Sequence, residues 1–318
     1  MFFTRLAAFP LLTLAVSSAF AAYQVTDFKG VAADYVALYG INDRGDMVGS
    51  AGDFSSSYAF VVRGGTVETI FDASLGSSFS AWAISNTGVV VVTAATDSDP
   101  VGSSYLWEKG KLTLLGVGLF PRGISPDGRY VAGRRDGGSA FVYDTVASAY
   151  LPIDGYEFLY DINNSGVVVG NRRADVPGSG HINMVGTTLN LHTGEARDYK
   201  QHVDDPGWTV LRGINDQGDV VGRFTSGEQV LGFYMSAAGD VETFQASPGV
   251  DTYLSGLNNA GVIVGSYLTA DGNSQAFIAM PSAVPEPGAA GMLIAGLGFV
   301  GWRRRRQLTS TRAATHPH

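Results

Sequence analysis

Between residues 22 and 282 the apolar positions fall in short alternating or Val-rich runs, separated by clusters of Gly, Asn, Asp and Ser. Period-two alternation broken by turn residues predicts many short β-strands joined by tight turns. One order recurs six times: an apolar residue, Asn or Ser, two further residues, Gly, then a Val-rich run. The leading position is held by Ile41, Ile84, Ile124, Ile162, Ile214 and Leu257, at steps of 43, 40, 38, 52 and 43 residues. In each copy the apolar residue closes one strand. The following Asn/Asp/Ser-x-x-Gly makes a turn in which glycine takes the positive φ that other residues resist, and the Val-rich run begins the return strand.

A second half follows in most copies. A small residue precedes an aromatic one in a third strand, as in Ala59-Phe60, Ala140-Phe141, Gly232-Phe233 and Ala276-Phe277, and Thr66 to Ile70 or Asp240 to Phe244 then reads as a fourth. Four strands per unit of about forty residues is the pattern of a β-propeller blade. The sixth unit stops after three strands, while Tyr23 to Phe28 is left over at the start of the domain. Laid beside Ala276 to Met280, it would complete the last blade and cover an open sheet edge. The expected fold is all-β, a six-bladed β-propeller over residues 22–282 built from six repeats of about 40 residues. A linear β-solenoid is the alternative, because repetition alone does not require closure.

Both ends of the chain read differently. Residues 1–21 predict a secretory signal peptide, with Arg5 as its positive start, Leu6 to Val16 as its apolar core and Ala19-Phe20-Ala21 as a small-x-small cleavage site. At the other end Val284-Pro285-Glu286-Pro287, within residues 283–287, precedes the apolar span 288–302 and the basic tail 303–318, which opens with Arg303, Arg304, Arg305 and Arg306. The prolines hold Glu286 on extended backbone that a protease could read. The arginines resist translocation and predict a stop in the cytoplasm. At ~1.5 Å per residue the span reaches about 22 Å, thin for a permanent anchor across a core of roughly 30 Å. An uncut C-terminal anchor is the alternative.

Charge and cysteine content narrow the partners. The chain has no cysteine, so burial rather than disulfides must stabilise an exported domain. Residues 22–282 carry 15 basic and 28 acidic side chains, a net of −13, which repels nucleic acid and anionic lipid.

The order Pro-Glu-Pro, apolar span, arginine cluster resembles the PEP-CTERM sorting signal of Gram-negative bacteria. That resemblance implies processing by a membrane exosortase, export through the inner membrane, and a final place at the cell surface, outer membrane or extracellular matrix alongside exopolysaccharide. The repeats are similar to bacterial extracellular HAF-type repeats, Gly-Ile-Asn-x-x-Gly-x-Val-Val-Gly followed by an Ala-Phe strand; Gly40 to Gly49 and Gly213 to Gly222 match nearly in full. The Ile124 to Arg129 copy looks instead like the turn of TolB-type propellers. These resemblances imply architecture and location, not an activity.

Catalytic patterns are scarce. There is no His-Glu-x-x-His, Gly-x-Ser-x-Gly or phosphate-binding P-loop. Gly296 to Gly301 fits a dinucleotide fingerprint, but it lies inside the apolar span with no βαβ unit after it. Asn-Asp-x-Gly-Asp at 42–46 and 215–219 makes Asp43, Asp46, Asp216 and Asp219 candidate calcium ligands, although turn hydrogen bonding explains the same residues and no bidentate Glu follows. No cofactor is otherwise expected. The long step between the fourth and fifth copies, residues 171–211, holds His181, His192, His202 and Trp208 and reads as a surface loop able to touch a ligand.

Two function classes follow. The favoured one is a non-catalytic surface or matrix protein binding exopolysaccharide or another matrix protein, with Trp82, Trp107 or Trp208 stacking on sugar rings. The alternative is an extracellular glycan hydrolase, which needs two carboxylates facing each other across roughly 5 to 9.5 Å.

Overall fold

The computed structural model describes residues 23–282 apart from 54, 97, 176–181 and 202–206. The predicted signal peptide, the Pro-Glu-Pro motif, the apolar span and the basic tail lie outside the described residues. Among the described residues there are strands and turns and no helix.

The strand β1 (Tyr23–Asp27) precedes five consecutive groups of four and one of three. The first two groups are β2 (Tyr35–Ile41), β3 (Met47–Gly52), β4 (Ser57–Arg63), β5 (Thr66–Ile70) and β6 (Ser78–Ile84), β7 (Val90–Thr96), β8 (Asp99–Glu108), β9 (Lys111–Val117). Next come β10 (Leu119–Ile124), β11 (Tyr130–Arg135), β12 (Ala140–Asp144), β13 (Ala149–Leu151) and β14 (Phe158–Ile162), β15 (Val167–Asp175), β16 (Ile182–Asn190), β17 (Ala196–Tyr199). The last are β18 (Thr209–Ile214), β19 (Val220–Ser226), β20 (Gln229–Met235), β21 (Val241–Phe244) and β22 (Thr252–Leu257), β23 (Ile263–Leu268), β24 (Ser274–Pro281). Within each group neighbours pair antiparallel, the arrangement of a β-propeller. β1 pairs β24 from Tyr23↔Pro281 to Asp27↔Phe277, so the strand left over in the sequence does complete the last sheet.

The expectation of six separate four-stranded blades needs correction. Four sheets are separate and four-stranded, whereas β2 to β9 form one eight-stranded sheet. The cause is local: β4 starts at Ser57, where a single parallel pairing with Ser78 ties it to β6, and the Ser57 N–H also donates to Ser77 O at 3.3 Å.

Closure comes from the turns. Their glycines take positive φ, +79° at Gly45 and +89° at Gly218 for example, and so let the first turn residue fold its side chain inward. Those residues, Asn42, Ser85, Ser125, Asn163, Asn215 and Asn258, are all buried. Each reaches its neighbour or its own return strand. Asn42 Nδ2 donates to Ser85 O at 3.0 Å, and the Asn86 N–H to Pro126 O at 2.7 Å. The Asp127 N–H donates to Asn164 Oδ1 at 2.8 Å, and Asn163 Nδ2 to Asn215 O at 3.0 Å. The Asp216 N–H donates to Asn259 Oδ1 at 2.7 Å. Asn258 Nδ2 then donates to Asn42 O at 3.0 Å, returning to the first turn. A linear solenoid has no such link.

Apolar clusters fill the spaces between successive groups. Val142 packs with Leu159, Ile162 and Val168, and Val169 with Leu211 and Phe233. The seam cluster joins Phe28, Val264 and Ala276 to Leu38, Ala51 and Phe60. The aromatic residues of the small-aromatic pairs, Phe60, Phe141, Phe233 and Phe277, are among the largest fully buried side chains. Each contributes about 1.5–3 kcal/mol of burial.

The first strand of each group lies beside the first strand of the next, with β22 returning to β2, so these six strands surround the axis. Every one of them is irregular at the same place, with a register jump at Leu38/Gly40 in β2 and Ala81/Ala83 in β6. The jump recurs at Pro121/Gly123, Leu159/Asp161, Leu211/Gly213 and Leu254/Gly256. Close approach at these bulges explains the glycine after the Val run: a Cβ on Gly222 would sit 2.4 Å from Val210 O and 2.6 Å from the Phe233 ring.

Asn258 also accepts from the Ala260 and Val262 N–H groups, at 3.1 and 2.9 Å. Asn258→Ala therefore strands buried polar groups on both sides of the seam, and should cost about 3 kcal/mol in urea denaturation. A loss below about 0.5 kcal/mol would show that the closing link is not structural.

Candidate functional site

A bulge opposes two residues to one and re-aims a side chain. Here the residues in the register jumps are Tyr39, Trp82, Arg122, Tyr160, Arg212 and Ser255, and the six line one narrow space on the axis. It continues as a cavity of about 40 Å³ toward the turns at Asn42, Asn215 and Asn258. The site is therefore a channel plugged by one residue from each axial strand. Aligning the six copies on the apolar leader would have revealed it: two places earlier the copies read Tyr, Trp, Arg, Tyr, Arg, Ser.

The plug is cationic and aromatic. The Arg122 guanidinium lies 3.3 Å from the Trp82 ring centroid and that of Arg212 lies 4.2 Å from Tyr160. Two more arginines come from the second strands, where register sets Arg134 opposite Phe120 and Arg223 opposite Val210. Arg134 lies 5.7 Å from the Phe120 ring and 5.6 Å from Phe158. Arg223 lies 5.6 Å from Trp208 and 5.0 Å from Tyr253. Such contacts return roughly 0.5–2 kcal/mol each, part of what desolvating the charge costs. Burial, followed by the like charge of Arg212, pushes Arg122 down to about 9 and Arg223 down to about 10. Both remain protonated at neutral pH, held against their surroundings.

One carboxylate enters the channel wall among these strands. The position just before the apolar leader reads Gly40, Ala83, Gly123, Asp161, Gly213 and Gly256. Small residues are required because the axial strands nearly touch there; a Cβ on Gly123 would lie 2.5 Å from Asp161 Cα. Asp161 is the exception and staples two strands: its Oδ1 accepts the Ile162 N–H at 2.9 Å and its Oδ2 the Ile214 N–H at 3.0 Å. The residue keeps some surface toward the channel, but protein surrounds its carboxyl, and that burial raises it to about 7 against the two backbone hydrogen bonds that lower it.

The residues singled out by sequence fall elsewhere. Asp43 accepts from the Asn259 backbone and side chain, both at 2.8 Å, and from Asn86 Nδ2 at 2.6 Å. Asp216 accepts from the Asn164 N–H at 2.9 Å and from Asn164 Nδ2 at 2.8 Å. Asp46 takes Arg44 at 2.7 Å and Asn42 Nδ2 at 3.0 Å. Asp219 takes Asn215 Nδ2 at 3.0 Å and the Ala237 N–H at 2.9 Å. All four thus act as turn acceptors, and among the described residues no three His, Cys, Asp or Glu side chains gather as a metal site.

Residues 171–211 differ from the expected loop. β15 and β16 pair along their full nine residues, from Val167↔Asn190 to Asp175↔Ile182, so much of the insertion lengthens a hairpin. His181 and His202 lie outside the described residues. His192 is exposed and packs on the turn glycine Gly166, whereas Trp208 precedes β18 at its other end, roughly 20 Å away along the strand. The structure does not bring these two together. Trp107 is only 3% exposed and belongs to the core, which removes it as a sugar platform. Trp82 lies in the channel and donates its Nε1–H to Thr93 Oγ1 at 2.9 Å.

Among known families the PEP-CTERM protein-sorting motif matches this chain over residues 283–307. The chain carries a PEP-CTERM sorting motif. The motif implies export, a C-terminal membrane anchor before cleavage, and exosortase processing. A search of curated proteins finds no match. Among solved structures the chain is similar to the β-propeller domain of the Trilobed protease from Pyrococcus furiosus, at 11% identity and TM-score 0.48, covering 79% of this chain and 84% of that one. It is also similar to virginiamycin B lyase from Staphylococcus aureus, at 12% identity and TM-score 0.41 over 83% and 90% of the two chains. A streptogramin B lyase gives 12% identity and TM-score 0.39 over 80% and 87%. At these values the propellers carry no argument about activity, and the PEP-CTERM motif speaks only for sorting.

The raised Asp161 carboxyl fixes a sign. The folded group keeps a proton that the unfolded one, at 3.8, has lost, so its stabilisation is complete below about pH 4 and is lost as pH rises through about 7. Urea denaturation of wild type and Asp161→Asn from pH 4 to 8 should show the stability difference moving against wild type by up to about 4 kcal/mol. A difference independent of pH would mean that the carboxyl titrates normally.

Proposed function

We propose that this is an exosortase-sorted, non-catalytic protein of the cell surface or extracellular matrix, whose propeller binds exopolysaccharide or another matrix protein. The PEP-CTERM motif at residues 283–307 carries this reading, because it commits the chain to the export route. In the same reading residues 1–21 are the export signal and the arginines at 303–306 are the stop. The eight-stranded sheet counts as two blades, since only the Ser57↔Ser78 pairing joins β2–β5 to β6–β9. On that count the proposed ring has six blades, where the sheets as paired are four of four strands and one of eight.

The channel favours binding over hydrolysis. Asp161 is committed to two backbone N–H groups and Asp43 to the turn circuit, so neither stands as a free carboxyl facing a partner as glycoside hydrolysis demands. No cofactor enters this reading, and the acidic surface of residues 22–282 argues against nucleic acid.

Replacing Pro285, Glu286 and Pro287 by Ala in the producing strain should leave the protein in the inner-membrane fraction at unprocessed mass; normal release would remove exosortase from the scheme. The released protein, mixed with the strain's own exopolysaccharide, should co-elute in size-exclusion chromatography with polymer of unchanged length. Progressive shortening of the polymer would replace the binding role by a hydrolase.

A further inference from the structure

Four of the 15 basic side chains of residues 22–282 meet at the end of the channel opposite the turns, in a domain of net charge −13. Arg122 and Arg212 line one narrow axial space, Arg122 and Arg134 lie 5.8 and 5.6 Å from the same Phe158 ring, and Arg212 acts as a like charge on both Arg122 and Arg223. Among the described residues no carboxylate forms an ion pair with any of them, although eight other such pairs are found on this domain. Three of the guanidinium groups, those of Arg122, Arg134 and Arg223, hold a buried Nε–H with no hydrogen-bond partner. Native proteins leave few buried polar atoms unsatisfied, and several together in one place point to a missing partner.

Repelling cations are costly to hold together, and aromatic faces offset only part of that cost. Guanidinium N–H groups match oxyanions, bidentately where geometry allows. The narrow axial space that Arg122 and Arg212 line measures about 10 Å³, room for one water-sized atom such as a single anion oxygen and none for a sugar ring. We propose that this end of the channel is a binding site for a single oxyanion, a carboxylate, phosphate or sulfate group, held by Arg122, Arg134, Arg212 and Arg223. The group arrives as a free ion or as the charged substituent of a larger molecule that stays outside. The site stands whether or not the propeller binds polysaccharide.

Thermal unfolding of the full chain in non-ionic detergent tests it, at constant ionic strength, with chloride exchanged for inorganic phosphate, sulfate or acetate. Wild type should gain about 5 °C in Tm with at least one oxyanion at a hundredfold excess over its dissociation constant. Arg122→Gln and Arg212→Gln should lose that gain while melting in chloride no lower than wild type, because removing one cation relieves repulsion. If either variant fails to fold, Arg223→Gln provides the same comparison. Polygalacturonate against neutral dextran separates the sources: a gain with polygalacturonate as well as acetate marks a pendant carboxylate, and a gain with small ions alone marks a free one. No gain with any oxyanion, or an equal gain in the arginine variants, overturns the site. Failure to co-elute with exopolysaccharide while the oxyanion gain persists would remove the matrix ligand and leave this site in place.

Discussion

The constraint on which the structure depends is the closed run of hydrogen bonds through the turns. A propeller made of similar sheets has no covalent reason to close, and this chain has no cysteine to supply one. What it has is a buried Asn or Ser at the start of each turn. Asn42, Asn163 and Asn258 each donate to the next turn's carbonyl at 3.0 Å, and the Asn258 bond links the sixth turn back to the first. Each such bond contributes only about 1 kcal/mol net. Their value lies in direction: a buried amide left unpaired would cost more than the bond returns, so arrangements in which the ends part are penalised.

Closure then dictates the channel. Bringing six strands together around an axis forces small residues where they touch, which is why Gly40, Gly123, Gly213 and Gly256 precede the apolar leader. Each strand relieves the crowding with a bulge, and each bulge sends one side chain to the axis. The six residues that plug the channel are therefore a consequence of the ring's geometry, while their identities are free to vary. That freedom separates them from the turns: the turn residues repeat, and the channel residues do not.

The same distinction explains what could be read from the sequence. Turns, Val-rich return strands, the buried Phe60, Phe141, Phe233 and Phe277, and the pairing of Tyr23 to Asp27 with the last strand were legible, because each rests on local chemistry repeated several times. The joining of β4 to β6 was not, since one pairing at Ser57 depends on how two neighbouring groups meet in space. The arginines were also missed. At 122, 134, 212 and 223 they form no local motif and meet only through register across strands and closure around the axis. Acidic turns and scattered histidines drew attention instead because they sit close in sequence, yet Asp43 and Asp216 serve as acceptors for neighbouring asparagines.

Variation at invariant geometry is where a repeat fold acquires individuality. At the position before the apolar leader five copies have Gly or Ala, and the fourth has Asp161, which bridges β14 and β18 through two backbone N–H groups. At the bulge, two copies have Arg where others have aromatic residues or Ser. Each departure carries a cost: Asp161 ties two strands together yet is held above its ordinary pKa by burial, and the arginines repel one another. Charges placed against the interests of stability, in the one concave space that closure creates, are the part of this domain that packing leaves unexplained. The turns hold the ring; the channel is where the chain has freedom to recognise something.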